Sequence, residues 1–236
     1  MNDHHYDIIA VIPAYNEEKM IDDVISKTKS FVDLIIVCDD GSTDNTSKII
    51  RKNDVVLLRN PKKMGKGYSL QCLFKEAEKY NPQIIITLDA DGQHDPNDIP
   101  KFFTPILSGK YDLVIGSRFL YDSWTDISYV RNFGLRIINL LHNILLRYPY
   151  SDSQCGFRAF GRKGINIMYK CNENGYGIET EQLILAMKYG LRMTEVAVKV
   201  KYRGLKNTSK MNFILHGFML MKFILCNFIK NLHLNI

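Results

Sequence analysis

Short apolar, β-rich runs recur along the first half of the chain, at residues 7–12, 34–38, 55–58, 84–88 and 113–115, each bounded by turn residues. Between them lie mixed segments with helical spacing, at 17–30, 42–52, 65–80 and 97–107. Strands that read as buried on both faces and alternate with helices predict an α/β domain with a mostly parallel sheet flanked by helices. In such sheets ligands bind beyond the C-terminal ends of the strands, near the switch in strand order.

The polar chemistry falls at those ends. After the five runs come PAYNEE, DDGSTDNT, NPKKMGKGYSL, DADGQHDP and GSRF. One such loop is unremarkable; five on one sheet edge describe a site. No internal repeat or low-complexity linker interrupts the chain, so residues 1–210 read as one catalytic domain. Residues 211–236 read as an apolar C-terminal helix for a membrane interface or an oligomer contact.

Within DADG, Asp89 and Asp91 point the same way from an extended chain, and Gly92 permits a sharp exit. Hard oxygens at this spacing suit Mg2+ or Mn2+, with Gln93 adding an amide oxygen and substrate phosphate filling the remaining positions. Asp95 and Asp98 read as helix-capping and turn residues. Asp39 and Asp40 can accept from ribose hydroxyls or a base edge, while Ser42 or Thr43 caps the next helix. MGKGYS sets Lys66 between two glycines at a helix start, where amides favour an anion, although it is no Walker loop. Glu179 and Glu181 in YGIETEQL supply a general base for a hydroxyl acceptor or, equally, the acidic first turn of a helix. Cys155 reads as packing, and Asp152 and Arg158 as residues that shape an acceptor pocket.

Composition narrows the field. With 236 residues, 46% hydrophobic and 24% charged, the chain is neither disordered nor polytopic. Five scattered cysteines without CxxC spacing predict free thiols rather than a disulfide framework or zinc site. The net charge of +6 fits a nucleotide, a lipid phosphate or a membrane surface, and nothing calls for nucleic acid. The N-terminus does not read as a signal peptide, and no charge-free stretch of about 20 residues predicts a membrane span. Residues 133–148 and the tail are apolar but broken by charges. That pattern suits helices lying in a membrane interface, or packed on each other or in a dimer.

VIPAYNEE, DDGSTDNT, GKGYSL, DADGQHDP, GSRF and DSQCGFRAF occur in the order seen in family 2 glycosyltransferases of the Rossmann-like GT-A fold. More narrowly, residues 7–210 resemble the dolichol-phosphate mannose synthase and polyprenyl-phosphate glycosyltransferase group. The resemblance implies that Pro13, Tyr15, Glu17, Val37 and Asp39 hold the nucleotide base and ribose of a nucleotide-sugar donor. It implies that Asp89, Ala90 and Asp91 contact ribose and diphosphate, with Asp89, Asp91 and Gln93 at the metal. Arg118 and Arg131 would meet an acceptor phosphate. Arg203 and Lys210 would clamp the donor diphosphate, although an extra residue in YRGLKNTSK leaves Lys206 as the alternative to Lys210. The implied reaction moves one sugar, GDP-mannose being the favoured donor, to dolichyl or polyprenyl phosphate with inversion, at the cytoplasmic face of the membrane. The rival readings are transfer to a sugar hydroxyl with Glu179 or Glu181 as base, and a nucleotide-binding regulatory protein without turnover.

Overall fold

The computed structural model describes residues 7–120, 129–146 and 148–201. Its sheet has seven strands: β1 (Ile8–Ala14), β2 (Leu34–Asp39), β3 (Val56–Arg59), β4 (Ile84–Thr87), β5 (Leu113–Ser117), β6 (Arg158–Gly161) and β7 (Met193–Ala197). Their order is β3-β2-β1-β4-β6-β5-β7. All run in one direction except β6, which is antiparallel to both neighbours. All five expected runs are strands.

Helices α1 (Ile21–Thr28), α2 (Thr46–Ile50), α3 (Lys66–Ala77), α4 (Phe103–Leu107), α5 (Tyr129–Leu146), α6 (Arg162–Met168) and α7 (Ile178–Lys188) complete the domain. The helix expected over 97–107 is instead a 3-10 stretch, Pro96–Phe102, followed by the short α4. Pro100 lies inside it and has no amide hydrogen to donate, so a continuous α-helix is not available there.

The core explains why the runs read so clearly. Ile9, Val11 and Ile12 of β1, Ile36 and Val37 of β2, and Ile84, Ile85 and Ile86 of β4 are buried on both faces of the sheet. Ile21 and Ile25 of α1 and Leu73 and Phe74 of α3 join them in the core. Each such side chain contributes roughly 1.5–3 kcal/mol by leaving water.

Two features of this topology build the site. From β1 the order runs outward to β2 and β3 on one side and to β4 on the other, so the switch in strand order opens between β1 and β4. And because β6 runs backwards, its entry loop, not its exit, reaches the edge where the parallel strands end. Thr87 of β4 faces Arg158 of β6, so residues 152–157 arrive beside the loop that follows β4. After β7 the chain leaves the sheet and is stitched to that same loop. Val198 N donates to Ser117 O, Lys199 N to Asp98 Oδ2 at 2.6 Å and Lys201 N to Gln93 O at 2.9 Å, with a bridge between His94 and Val200.

Candidate active site

The centre of the site is an ammonium between two carboxylates. Lys66 opens α3, Asp89 follows β4 and Glu179 lies in the first turn of α7. Lys66 Nζ is 2.6 Å from Asp89 Oδ1 and 2.7 Å from Glu179 Oε1. Gly156, from the entry loop of β6, lies against this pair. A Cβ there would stand 2.8 Å from Lys66 Nζ and 3.1 Å from Asp89 Oδ2. Burial opposes the charge on Lys66, but Asp89 and Glu179 outweigh it and hold its pKa above the ordinary value. Burial likewise opposes the charge on Asp89, yet Lys66 pulls its carboxyl below the usual range.

Asp91 is in the opposite condition. Burial, reinforced by the charge of Asp89 and then Glu17, pushes its carboxyl up to about 7, although Gln93 N donates to it at 2.9 Å. The turn between them is made by Gly92 at φ +72°, left-handed backbone that favours glycine. His94 closes the loop. Its Nδ1 accepts from Asp89 N at 3.4 Å, its ring stacks on Phe157 at 5.1 Å, and burial lowers its pKa to about 4. These contacts hold the ring in the turn of the loop.

Lys66 thus pairs with Asp89 and Glu179, and the third carboxyl of the cluster, Asp91, feels its charge only weakly. An added cation would relieve the excess, which is the condition a divalent ion meets. Among the described residues no three His, Cys, Asp or Glu side chains form a ready-made ligand cluster. The fit is to an ion held by Asp91 and Gln93 that takes its other ligands from water and phosphate, as Mg2+ and Mn2+ do.

The second cation stands on the far side of β6. Arg118, at the end of β5, closes on Asp152 with its Nε, with Nη2 to Oδ1 at 3.2 Å, and with its own amide to Oδ2 at 3.1 Å. Asp152 is fully buried. The Arg118 guanidinium is near enough to Asp89 to help hold that carboxyl ionised. Arg158 is fully buried and serves the framework. It donates to the carbonyls of Cys155, Ser153 and Glu179 and to Gln182 Oε1, at 2.7–2.9 Å, tying the entry loop of β6 to the start of α7.

Across β1 from this cluster, Asp39 is fully buried at the end of β2. Its Oδ1 accepts from Ser42 N at 2.9 Å; its Oδ2 has no hydrogen bond among the described residues and lies 3.4 Å from Arg59 Nε. Tyr15 carries the Lys63 ammonium 4.3 Å over its ring, and Glu17 N donates to Thr46 Oγ1.

Residues 9–167 match the family described as glycosyl transferase family 2. The chain belongs to that family. It is 37% identical over 226 residues to an uncharacterized protein of Methanocaldococcus jannaschii, covering 93% of this chain and 91% of the other. It is 34% identical over 218 residues to a Methanococcus voltae protein named UDP-N-acetylglucosamine–dolichyl-phosphate N-acetylglucosaminyltransferase, covering 83% and 86%. Among solved structures it resembles glucosyl-3-phosphoglycerate synthase of Mycobacterium tuberculosis, crystallised with Mn2+, uridine diphosphate and phosphoglyceric acid. There the TM-score is 0.71 at 21% identity, over 94% of this chain and 78% of that one, a likeness of fold. The family 2 fold is the GT-A sheet with flanking helices.

Against this family 2 frame the expected residues fall into groups. Asp89, Asp91, Gln93, Lys66 and Arg118 meet at one sheet edge. Pro13 is half-buried at the end of β1, Ala90 is buried beside Asp89, and Val37 is fully buried in β2, where its side chain serves the core. Arg131 lies on α5. Arg203, Lys206, Lys210 and the expected helix at 211–236 lie outside the described residues.

Three expectations are corrected. Asp40 does not await a ribose, because its oxygens accept from Asn60 Nδ2, Met64 N and Gly65 N at 2.7–2.9 Å and brace the loop before α3. The amides at the start of α3 do not await a phosphate. Gly67 N donates to Gly175 O and Tyr68 N to Asn174 O, and a Cβ on Gly67 would stand 2.0 Å from Glu173 O. The glycines flanking Lys66 therefore serve this close approach. Of the two glutamates, only Glu179 reaches the site; Glu181 accepts from the amides of Asn172 and Glu173. Cys155 is packing as expected, fully buried in the core, and burial pushes its thiol up to about 12. The residues that sequence reasoning missed are His94 and Gly156, and it missed the pairing of Lys66 with Glu179. Only the glycine in CGF was visible as a signal.

Proposed function

We propose that this family 2 glycosyltransferase moves one sugar from a UDP-sugar, N-acetylglucosamine being the favoured sugar, to a polyprenyl or dolichyl phosphate, with inversion. The observation that carries the reading is the meeting of the carboxylate-rich Asp89–Asp91 loop with two separately held cations, Lys66 and Arg118, at one sheet edge. GDP-mannose, the donor implied by motif resemblance, yields to a UDP-sugar because the Methanococcus voltae relative is named for UDP-N-acetylglucosamine.

An acceptor phosphate oxygen attacks the anomeric carbon as the bond to the donor diphosphate breaks, and the nucleoside diphosphate leaves. The catalytic demand is charge building on that leaving group. Lys66 is a permanent ammonium there, and a divalent ion at Asp91 and Gln93 would supply further Lewis-acid neutralisation. The Oδ2 of Asp39, which has no hydrogen bond among the described residues and lies beside Arg59, would be an acceptor for an N–H of the base. Arg118 presents a guanidinium held by Asp152, suited to a phosphate oxygen. A phosphate acceptor is already ionised near neutral pH and needs no general base. This agrees with Glu179 committing its carboxylate to Lys66.

The lipid part of the acceptor accords with α5. Phe133, Ile137, Leu140 and Ile144 follow helical spacing on one face and are 68%, 37%, 58% and 62% exposed. Leu135, Ile138 and His142 are buried on the other face. No helix among the described residues is long and apolar enough to cross a membrane, so α5 is suited to lie on a membrane surface, at its cytoplasmic face in this reading.

The test is transfer from radiolabelled UDP-N-acetylglucosamine, UDP-glucose and GDP-mannose to polyprenyl phosphate with Mn2+ or Mg2+, with EDTA and Asp91→Ala as controls. Butanol-extractable label from one donor, lost in both controls, is the expected result. Transfer only to a free sugar hydroxyl would overturn the lipid-phosphate acceptor and make Glu179 the base.

A further inference from the structure

Glu195 has no part in the chemistry described so far. It sits half-buried on β7, the edge strand, paired in register with Ile115 of β5. Its carboxylate is turned toward the entry loop of β6 and takes hydrogen bonds from two successive residues. Ser151 N donates to Oε2 at 2.9 Å and to Oε1 at 3.1 Å, Asp152 N donates to Oε1 at 2.9 Å, and Ser151 Oγ donates to Oε2 at 2.8 Å. Ser151 Oγ also lies 2.6 Å from Ser117 Oγ, which accepts from Phe119 N at 3.0 Å. The residues on both sides of Arg118 are thereby fastened to the residue before Asp152.

This arrangement places a second acid beside the buried carboxylate of Asp152, and burial raises the pKa of Glu195. A loop could be fastened at less electrostatic cost by a neutral side chain. What an anion achieves here is direction. Its two oxygens fix the peptide planes at Ser151 and Asp152, and those planes set where the Asp152 carboxylate points. Arg118 then meets that carboxylate through three donors and loses its freedom to swing.

We propose that Glu195 is a positioning residue for the acceptor: through Ser151 and Asp152 it holds the Arg118 guanidinium in the one orientation that receives the acceptor phosphate. The inference rests on the reading of Arg118 as the phosphate-binding group, and the test separates the two.

The experiment measures binding of farnesyl phosphate, a short soluble prenyl phosphate, by calorimetry, so it needs no knowledge of the sugar. The full chain is compared with R118A, E195Q, the R118A/E195Q double variant and the milder S151A. UDP affinity with Mn2+ and the melting temperature are read on each. A glutamine keeps one acceptor oxygen but turns an NH2 toward a backbone amide. E195Q is therefore expected to weaken farnesyl phosphate about 10-fold with UDP affinity unchanged, and S151A to weaken it less, in the same direction. The double variant is expected to bind no more weakly than R118A alone, because Glu195 acts through Arg118. Wild-type affinity for farnesyl phosphate in E195Q, or effects of R118A and E195Q that add, would overturn the positioning role. Wild-type affinity in R118A would overturn the phosphate reading of Arg118 itself. If E195Q does not fold, S151A decides: unchanged farnesyl phosphate binding there overturns the proposal.

Discussion

The two sides of the site are built on opposite electrostatic plans. Around Asp89 the Lys66 ammonium pairs with two carboxylates, and Asp91 beside them is left with its carboxyl raised to about 7. Around Arg118 the guanidinium and the Asp152 carboxylate satisfy each other directly. The first cluster is short of positive charge, and the proposed cation would complete it. The second is finished before anything arrives. In the proposed reaction the donor would come with a cation and the acceptor as a bare anion, which calls for just such a difference.

Removing a cation from each side should sharpen the contrast most. Lys66→Met leaves Asp89 and Glu179 facing each other and should cost stability, less than the roughly 3–5 kcal/mol of a fully buried pair because Asp89 is 29% exposed. Mn2+ should return part of it, read as a rise in melting temperature. Arg118→Met should cost stability in the same direction, and Mn2+ should restore none of it. Equal rescue of both variants would break the comparison. Next in size, Asp91→Ala or EDTA should lower turnover by about 10²–10³-fold, the loss typical of one well-placed charge partner. Turnover indifferent to chelator would remove the cation from the donor side.

A smaller effect is expected from Gly67→Ala. The new Cβ would meet the backbone carbonyl of Glu173, a group that cannot swing aside as a side chain can. Overpacking of this kind costs about 1–3 kcal/mol, measurable by urea denaturation. The loss should appear with and without metal, since only packing changes. The smallest effect belongs to α5. Leu140→Asn on the exposed stripe should leave the melting temperature unchanged and reduce flotation with phosphatidylglycerol vesicles; undiminished flotation would remove α5 from the membrane reading.

How much of this was legible depended on whether a residue announced its surroundings. β1, β2, β4 and β5 could be read because burial on both faces leaves an uncharged run, while β3 is only half-buried and shows itself by its short apolar stretch. β6 could not. It opens with Arg158, a charge that sequence reasoning places outside a core, yet here it is satisfied by carbonyls of its own loop. β7 is a half-buried edge strand whose Glu195 breaks the apolar pattern. The acids after β2 and β4 were legible as a group but not individually. Asp39 and Asp40 are neighbours in sequence, and only the fold sets one against Ser42 and Arg59 and spends the other on the loop before α3. Glu179 and Glu181 divide in the same way, by the phase of a helix whose first residue the sequence does not mark. The pairing of Lys66 with Glu179 joins distant segments and left no local trace.

The stitch that follows β7 carries a consequence for how the domain opens. Lys199 and Lys201 give their amides to Asp98 and Gln93, so the loop that would hold the cation cannot lift away without releasing the strand end behind it. Hydrogen exchange at those two amides would then be set by the opening of the loop rather than by local fraying. Their protection should deepen when a nucleotide and its cation are bound, a slow clock at the sheet's edge that reports occupancy of its centre.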